Sequence, residues 1–308
     1  FLAGENRYEA DQSNFSKIPG SPVAYWVSEN FVRAFEKGTT LRELASIPKG
    51  LSTGSVDTFM RFWYEVINDK IDYDSTSCDI SKDRGYKWFP YAKGGSFRRW
   101  NGNLEYIVNW ENDGYDVKHF VDERGKQRSR PQNTAYYFKK CLTYSAITSY
   151  KYSVRYLNKC IFGGGGDSIH TSDEYFYIVL GLLNTNLAQY YLSVISPTMN
   201  FEVDHIKRVP LLINDKKEKV VNIVKENIEL SKTDWDAFET SWDFKNHPLL
   251  RKTSTIAEAF NQWQSECDSR YNQLKANEEE LNRIFIDIYG LQDELTPEVE
   301  DRDVTVRK

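Results

Sequence analysis

The chain has 308 residues, is 40% hydrophobic and carries a formal net charge of −5. This length and apolar content predict a soluble globular protein with one large core or two modest ones. A negative net charge excludes a nucleic-acid binder only if the charge is evenly spread, so its distribution along the chain decides the question.

Cysteine and histidine usage predicts an intracellular protein without a metal site. The four cysteines and four histidines are dispersed, with no CxxC pair and no HExxH motif. The N-terminus lacks the basic start and long apolar run of a secretory signal. We therefore expect reduced thiols, a cytoplasmic location, no metal and no membrane partner.

The first predicted helix begins at Ser21 as N-cap, has Pro22 at its first position and ends before Gly38. Further along, residues 59–66 place large side chains on both alternating faces, which predicts a buried strand.

Residues 81–160 form a basic island in an otherwise acidic chain. They carry 16 basic and 7 acidic side chains, a balance of +9. Residues 1–80, 161–200 and 201–308 balance at −4, −3 and −7. Such a local excess of Lys and Arg favours contact with DNA phosphates over simple solvation of a surface.

Within this island, Asn101-Gly102 separates residues 97–100 from residues 104–108, which predicts a two-residue β-hairpin. Arg, Asn and Gln at such a tip suit base edges in the major groove, whereas Lys and Arg suit phosphates. The candidate DNA-binding residues are Lys87, Lys93, Arg98, Arg99, Asn101, Asn103, Lys118, Arg124, Lys126, Arg128, Arg130, Gln132 and Asn133.

A strand predicted over residues 150–162 ends in four glycines, Gly163 to Gly166. Glycine loops after strands can bind phosphate through backbone amides. No GK[ST] sequence follows, however, and Asp167 would place a carboxylate where the phosphate should lie. We therefore favour a structural turn.

The last third of the chain is predicted to be mainly helical. Residues 175–195 are apolar but are interrupted by Asn184, Thr185, Asn186 and Gln189, which favours a buried helix pair over a membrane span. Asp215 and Glu218 resemble a capping box that opens a further helix.

A longer helix is predicted from Ile256 to Tyr289, with Thr255 and Glu258 at its start and Gly290 after its end. Only Glu278 interrupts its apolar stripe. The default interpretation is a structural spacer, and a partner-binding coiled coil is the alternative.

Several segments of this sequence resemble one family. They are LSTG at 51–54, FMRFWYEV at 59–66, KWFPYAKGG at 87–95, RRW at 98–100, NWEN at 109–112, SRPQN at 129–133, LGLLN at 180–184 and IDIYGL at 286–291. In this order they resemble the C-terminal target-recognition and helical spacer region of the PglX family. These are adenine-specific DNA methyltransferases of BREX phage-defence systems, and related segments occur in single-chain type IIG restriction-modification enzymes.

The resemblance implies an α/β (α+β) protein. Residues 1–213 would form a DNA target-recognition domain with a curved mixed sheet and hairpins that face DNA, and residues 214–308 a helical spacer domain. The implied partners are double-stranded DNA, the N-terminal methyltransferase domain of the parent protein and other phage-defence proteins. S-adenosylmethionine is expected in that methyltransferase domain.

The chemistry of methyl transfer is not expected in this chain. The family's catalytic motif contains two adjacent prolines, and the nine prolines here are never adjacent. No strand–glycine–helix fingerprint for a cofactor is present, and no acidic cluster predicts a nuclease. We therefore expect no catalytic, cofactor-binding or metal-binding residues.

Three alternatives remain at this stage. The chain could be the specificity portion of a type IIG restriction enzyme. Tryptophans at positions 63, 88, 100 and 110 also suit an aromatic carbohydrate-binding module. Finally, the long helix and acidic C-terminal quarter suit a protein-interaction scaffold.

Overall fold

A computed structural model describes residues 12–196 and 198–308 of the chain. Helices and short strands are mixed along it, which confirms the α/β class. The helices are α1 Glu29–Lys37, α2 Leu41–Leu44, α3 Val56–Phe59, α4 Cys78–Arg84, α5 Glu111–Lys118, α6 Asp173–Leu183, α7 Asn186–Ile195, α8 Val203–Lys207, α9 Lys217–Asp236 and α10 Ile256–Tyr289. The strands are β1 Thr39–Thr40, β2 Ala45–Ser46, β3 Met60–Phe62, β4 Trp88–Ala92, β5 Tyr106–Asn109, β6 Cys141–Tyr144, β7 Val154–Leu157, β8 Ile161–Phe162, β9 Ser168–Thr171 and β10 Pro210–Leu211.

The strands form two four-stranded sheets and one short pair, rather than one curved sheet. The first sheet has the order β2-β9-β6-β7 and is antiparallel throughout. The second has the order β3-β5-β4-β8 and is mixed, because β4 and β8 run parallel. Strands β1 and β10 pair separately.

The two four-stranded sheets pack around two hydrophobic cores, and Cys141 and Leu157 of the antiparallel sheet also contribute to the smaller one. The larger core joins the β2-β9-β6-β7 sheet to α1, α6, α7, α9 and α10. The smaller core lies against the mixed sheet and contains Phe89, Trp110, Phe138 and Phe162. The helices after residue 213, which the sequence assigns to a spacer, thus share the larger core with elements before it.

Helix α1 exists but begins later than the sequence predicted. Its N-cap is Ser28, whose hydroxyl accepts a hydrogen bond from the Phe31 amide at 3.2 Å. Ser21 has a left-handed backbone with φ of 47° and caps nothing. The end of the helix at Gly38 is as predicted.

The apolar segment 175–195 folds as the buried pair α6 and α7. No single helix in the described ranges is long and apolar enough to cross a membrane, although these two together, bent by 80°, match such a span in length and composition. The Asn184 side chain accepts a hydrogen bond from the Val154 backbone amide and donates one to the Val154 carbonyl oxygen, both at 2.9 Å. Gln189 makes the same two hydrogen bonds with the backbone of Tyr152. Asn184 and Gln189 therefore satisfy backbone groups in and just before β7.

Helix α10 has the predicted bounds. The Thr255 hydroxyl accepts from the Glu258 amide at 3.1 Å, and Gly290 ends the helix with φ of 68°. Its apolar stripe is buried only in its later turns, since Ile256 and Phe260 at the start are 81% and 48% exposed. The capping box predicted for α9 is wrong, because the N-cap there is Lys216 with no side-chain bond.

Candidate nucleic-acid interface

The basic loop, defined as residues 120–133, follows α5 and pairs near its end with Ser52. At its tip the Asp122 carboxylate accepts hydrogen bonds from the backbone amides of Arg124 and Lys126, both at 2.9 Å. Gly125 takes a φ of 74°, and Val121 pairs with Gln127 in antiparallel fashion. The Asp122 side chain thus stabilises a tight turn, because it accepts hydrogen bonds from two backbone amides of the turn.

Four cations of the basic loop point into solvent. Arg124, Lys126, Arg128 and Arg130 are exposed, and none forms an ion pair with another residue in the described ranges. Arg128 lies over the Phe120 ring at 5.3 Å. These side chains are therefore available to an anionic partner.

The base of the loop is fixed to the rest of the chain by backbone pairing. Arg130 and Ser52 exchange two hydrogen bonds, at 2.7 and 3.0 Å. The Asn133 amide donates to the Lys49 carbonyl oxygen at 2.9 Å, while Asn133 itself has a left-handed φ of 55°. Gln132 is exposed beside it. Lys49, which is exposed and which sequence reasoning missed, thus belongs to the same surface.

Three other candidate lysines have partners inside the protein. Lys118 lies 2.6 Å from Asp113, and Lys87 lies 3.8 Å from Glu111. Lys93 is half-buried with its ammonium 4.7 Å from the centre of the Tyr106 ring. Their charges are partly neutralised or shielded, unlike those of the basic loop.

The hairpin predicted at Asn101-Gly102 is wrong. Strand β5 pairs instead with β3 and β4, and Trp100 is bridged to Arg155 in β7. Trp100 is fully buried, so residues 97–100 cannot form an exposed hairpin arm. Tertiary burial of a large aromatic side chain outweighs the local turn preference here.

Arg98 and Asn101 of the predicted hairpin tip face inward. The Arg98 guanidinium forms an ion pair with Asp234 of α9 at 2.8 Å and lies over Trp235 at 4.8 Å. Asn103 donates to the Ser96 carbonyl at 2.8 Å, and Asn101 is only 7% exposed. We therefore remove Arg98 and Asn101 from the candidate DNA surface and keep Asn103, which is half-exposed.

Arg99 is also removed, because it is buried in an ion pair with Glu278 of α10 at 2.7 Å. The other Glu278 oxygen accepts from the Trp100 indole at 2.6 Å. Burial raises the pKa of Glu278, and Arg99 and Trp100 oppose that rise by stabilising the carboxylate. The residue that interrupts the apolar stripe of α10 is thus the partner of two residues in the basic island.

Comparison with known proteins identifies related sequences. The chain is 42% identical over 311 aligned residues to the adenine-specific methyltransferase PglX of Lacticaseibacillus casei (strain Zhang), which covers 98% of the chain and 26% of that protein. It is 36% identical over 290 residues to the adenine-specific methyltransferase BrxX of Escherichia coli O9:H4 (strain HS), covering 92% of the chain and 22% of that protein. No family model matches the chain.

The chain is homologous to a segment of the PglX and BrxX methyltransferases. The resemblance seen in its motifs is thereby confirmed. The chain spans about a quarter of the length of these relatives.

The glycine loop at residues 163–166 leads from one strand into another. Gly163 to Gly166 form a turn between β8 and β9, and a strand rather than a helix follows. A Cβ atom at Gly163 would lie 1.9 Å from the Tyr91 hydroxyl oxygen, so this glycine is required by packing. The predicted structural turn is confirmed, and Asp167 is buried beneath it.

The tryptophans that suggested a carbohydrate platform do not form one. Trp100 and Trp110 are fully buried in the two cores. Trp63 and Trp88 are half-buried, and the Trp63 indole donates to the Thr240 carbonyl at 3.0 Å. None of these four tryptophans therefore offers the exposed platform that a carbohydrate-binding module requires.

Proposed function

We propose that the chain recognises double-stranded DNA for an adenine-N6 methyltransferase of a BREX-like phage-defence system. It would work in the cytoplasm as a target-recognition unit joined to an N-terminal methyltransferase domain that binds S-adenosylmethionine. The relatives named PglX and BrxX support the methyltransferase context.

The observation that supports DNA contact is the exposed basic loop. Four cations lie within seven residues, without ion-pair partners in the described chain, on a turn held by Asp122 and by pairing with Ser52. Exposed Lys and Arg on a fixed backbone neutralise phosphates at low entropic cost. Gln132 and Asn133, at the base of the loop, have the side chains that read base edges.

The test is the salt dependence of duplex binding by the 308-residue chain, measured by fluorescence anisotropy. Affinity should fall steeply between about 50 and 200 mM salt, because bound protein releases counterions from DNA. Affinity that does not change with salt would overturn the proposal.

The basic loop is tested by the double variant Arg124→Ala/Lys126→Ala. The matched control is Lys245→Ala/Lys252→Ala, which removes two exposed cations that also lack ion-pair partners in the described chain. The loop variant should lower the salt slope by about 1 for each lost phosphate contact, whereas the control should leave it unchanged. Equal slopes for the two variants would exclude this loop as the interface.

Specificity is tested in the full-length parent enzyme by mapping methylated adenines in genomic DNA. Gln132→Ala should relax or change the methylated sequence, because a base-edge contact discriminates by about 1–3 kcal/mol. Lys252→Ala should leave the sequence unchanged. An unaltered motif and methylation level in Gln132→Ala would remove Gln132 from base recognition.

A further inference from the structure

A cavity of about 680 Å³ lies between the mixed sheet and α9, away from the basic loop. Pro90 of β4 and Cys160 beside β8 form one side of it, and Ile228 and Trp235 of α9 form the other. Its volume is within the range of about 300–1,000 Å³ typical of small-molecule sites.

Aromatic rings line much of this cavity. Tyr73 and Trp242 lie with ring centres 5.4 Å apart at 39°. Trp235 lines it as well, with the Arg98 guanidinium over its ring at 4.8 Å. Flat heterocycles such as nucleobases stack favourably on such rings.

An asparagine amide without a partner adds a polar group to this cavity. Asn101 is 93% buried and lines the cavity, yet its side-chain amide makes no hydrogen bond with any described residue. The amide is not fully enclosed, so it is open to the cavity and free to bond a ligand. Asn158 adds a second side-chain amide at the exposed edge of the cavity. Its oxygen accepts a hydrogen bond from the Lys159 backbone amide at 3.1 Å, and its NH₂ group has no partner among the described residues.

The charges around the cavity largely cancel. Lys232 forms ion pairs with Asp236 and Asp243, and Lys159 pairs with Asp74 at 2.8 Å. With Lys225 and Glu229 included, the lining has three lysines and four carboxylates, a net charge of −1. This balance disfavours a polyphosphate and suits an uncharged ligand.

We propose that this cavity binds a nucleobase, supplied either by a free nucleoside or by an unpaired base in DNA. Aromatic rings would stack on the base, and the Asn101 amide would offer a donor and an acceptor to its edge. Because Asn pairs with the donor–acceptor edge of adenine, adenine should bind best. The inference goes beyond duplex recognition by the basic loop and does not depend on it.

The first test is calorimetric titration of adenosine and thymidine into the 308-residue chain. Adenosine should bind more tightly than thymidine. Asn101→Ala should weaken adenosine binding about tenfold, the loss expected for an unpaired hydrogen-bonding edge. Asn222→Ala is the matched control, since Asn222 is exposed on α9 outside the cavity.

The second test separates the two sources of the base. A duplex with a single bulged 2-aminopurine should lose fluorescence on binding if that base enters the cavity and stacks, and adenosine should reverse the loss by competition. Fluorescence loss that adenosine cannot reverse would assign the cavity to free nucleosides only.

Two results would overturn the proposal. One is no adenosine binding by the wild-type chain at millimolar concentration. The other is binding that is equally strong in wild type, Asn101→Ala, Asn158→Ala and Trp242→Leu. Asn158 is exposed, so its variant tests the cavity even if Asn101→Ala or Trp242→Leu does not fold. A failure here leaves the salt-dependent duplex test unaffected, because the two tests use different residues and ligands.

Discussion

Removal of the Glu278 carboxylate should destabilise the protein strongly. In Glu278→Ala the buried Arg99 guanidinium loses its ion-pair partner at 2.7 Å, and the Trp100 indole loses its acceptor at 2.6 Å. Loss of one partner from a buried ion pair costs about 3–5 kcal/mol, because the other charge stays buried and unpaired. We expect a loss of about 3–5 kcal/mol, and a smaller loss for Glu278→Gln, which keeps one acceptor.

Urea unfolding followed by tryptophan fluorescence measures this change, with the linear extrapolation applied to wild type and variants. Glu229→Ala is the control, because Glu229 is an exposed glutamate on α9 that has no ion pair with a described residue. The control should change the free energy of unfolding by about 0.5 kcal/mol or less. If Glu278→Ala costs no more than this control, the ion pair described here does not stabilise the fold.

Three further predictions concern local structure. Gly163→Ala should cost about 1–3 kcal/mol of unfolding free energy, because its Cβ would overlap a tyrosine hydroxyl. Gly164→Ala should cost almost nothing, because nothing lies within 4 Å of the new Cβ. Equal losses in urea unfolding would contradict the packing argument. Ser28→Ala should cost about 1 kcal/mol by loss of the N-cap, whereas Ser21→Ala should not; thermal unfolding that ranks them in the opposite order would place the start of α1 elsewhere. Burial raises the pKa of Asp167 from 3.8 to about 6. Its acid form therefore favours folding below about pH 4. This contribution, at most about 3 kcal/mol, is lost as pH rises through 6. Asp167→Asn should therefore gain stability relative to wild type between pH 4 and 7, and parallel pH profiles would disprove this assignment.

Elements with strong local signals were predictable from sequence. Helix α10 has a capping pair at Thr255 and Glu258 and a glycine after its end, and its bounds match the prediction. The α6 and α7 pair was likewise predictable, because its apolar residues are continuous apart from a few amides and hydroxyls. In both cases the information lies within the segment itself.

Elements decided by distant contacts were not predictable. The Asn101-Gly102 turn signal is strong, but Trp100 is drawn into the larger core and Arg99 pairs with a residue 179 positions away. Sequence gives no sign of such a pairing, except that Glu278 stands alone in an apolar stripe. Of the candidate DNA-binding residues, those of the basic loop stay exposed because their turn is satisfied locally by Asp122.

The pairing of Arg98 with Asp234 and of Arg99 with Glu278 also bears on the exchange of segments between homologous proteins. A chimera that places residues 51–162 of this chain in a relative would import both arginines without the carboxylates that pair with them here. If the recipient had apolar residues at those two positions, two guanidinium groups would be buried without counterions. The smallest exchangeable unit is therefore discontinuous in sequence and includes the two helix positions that carry these acids.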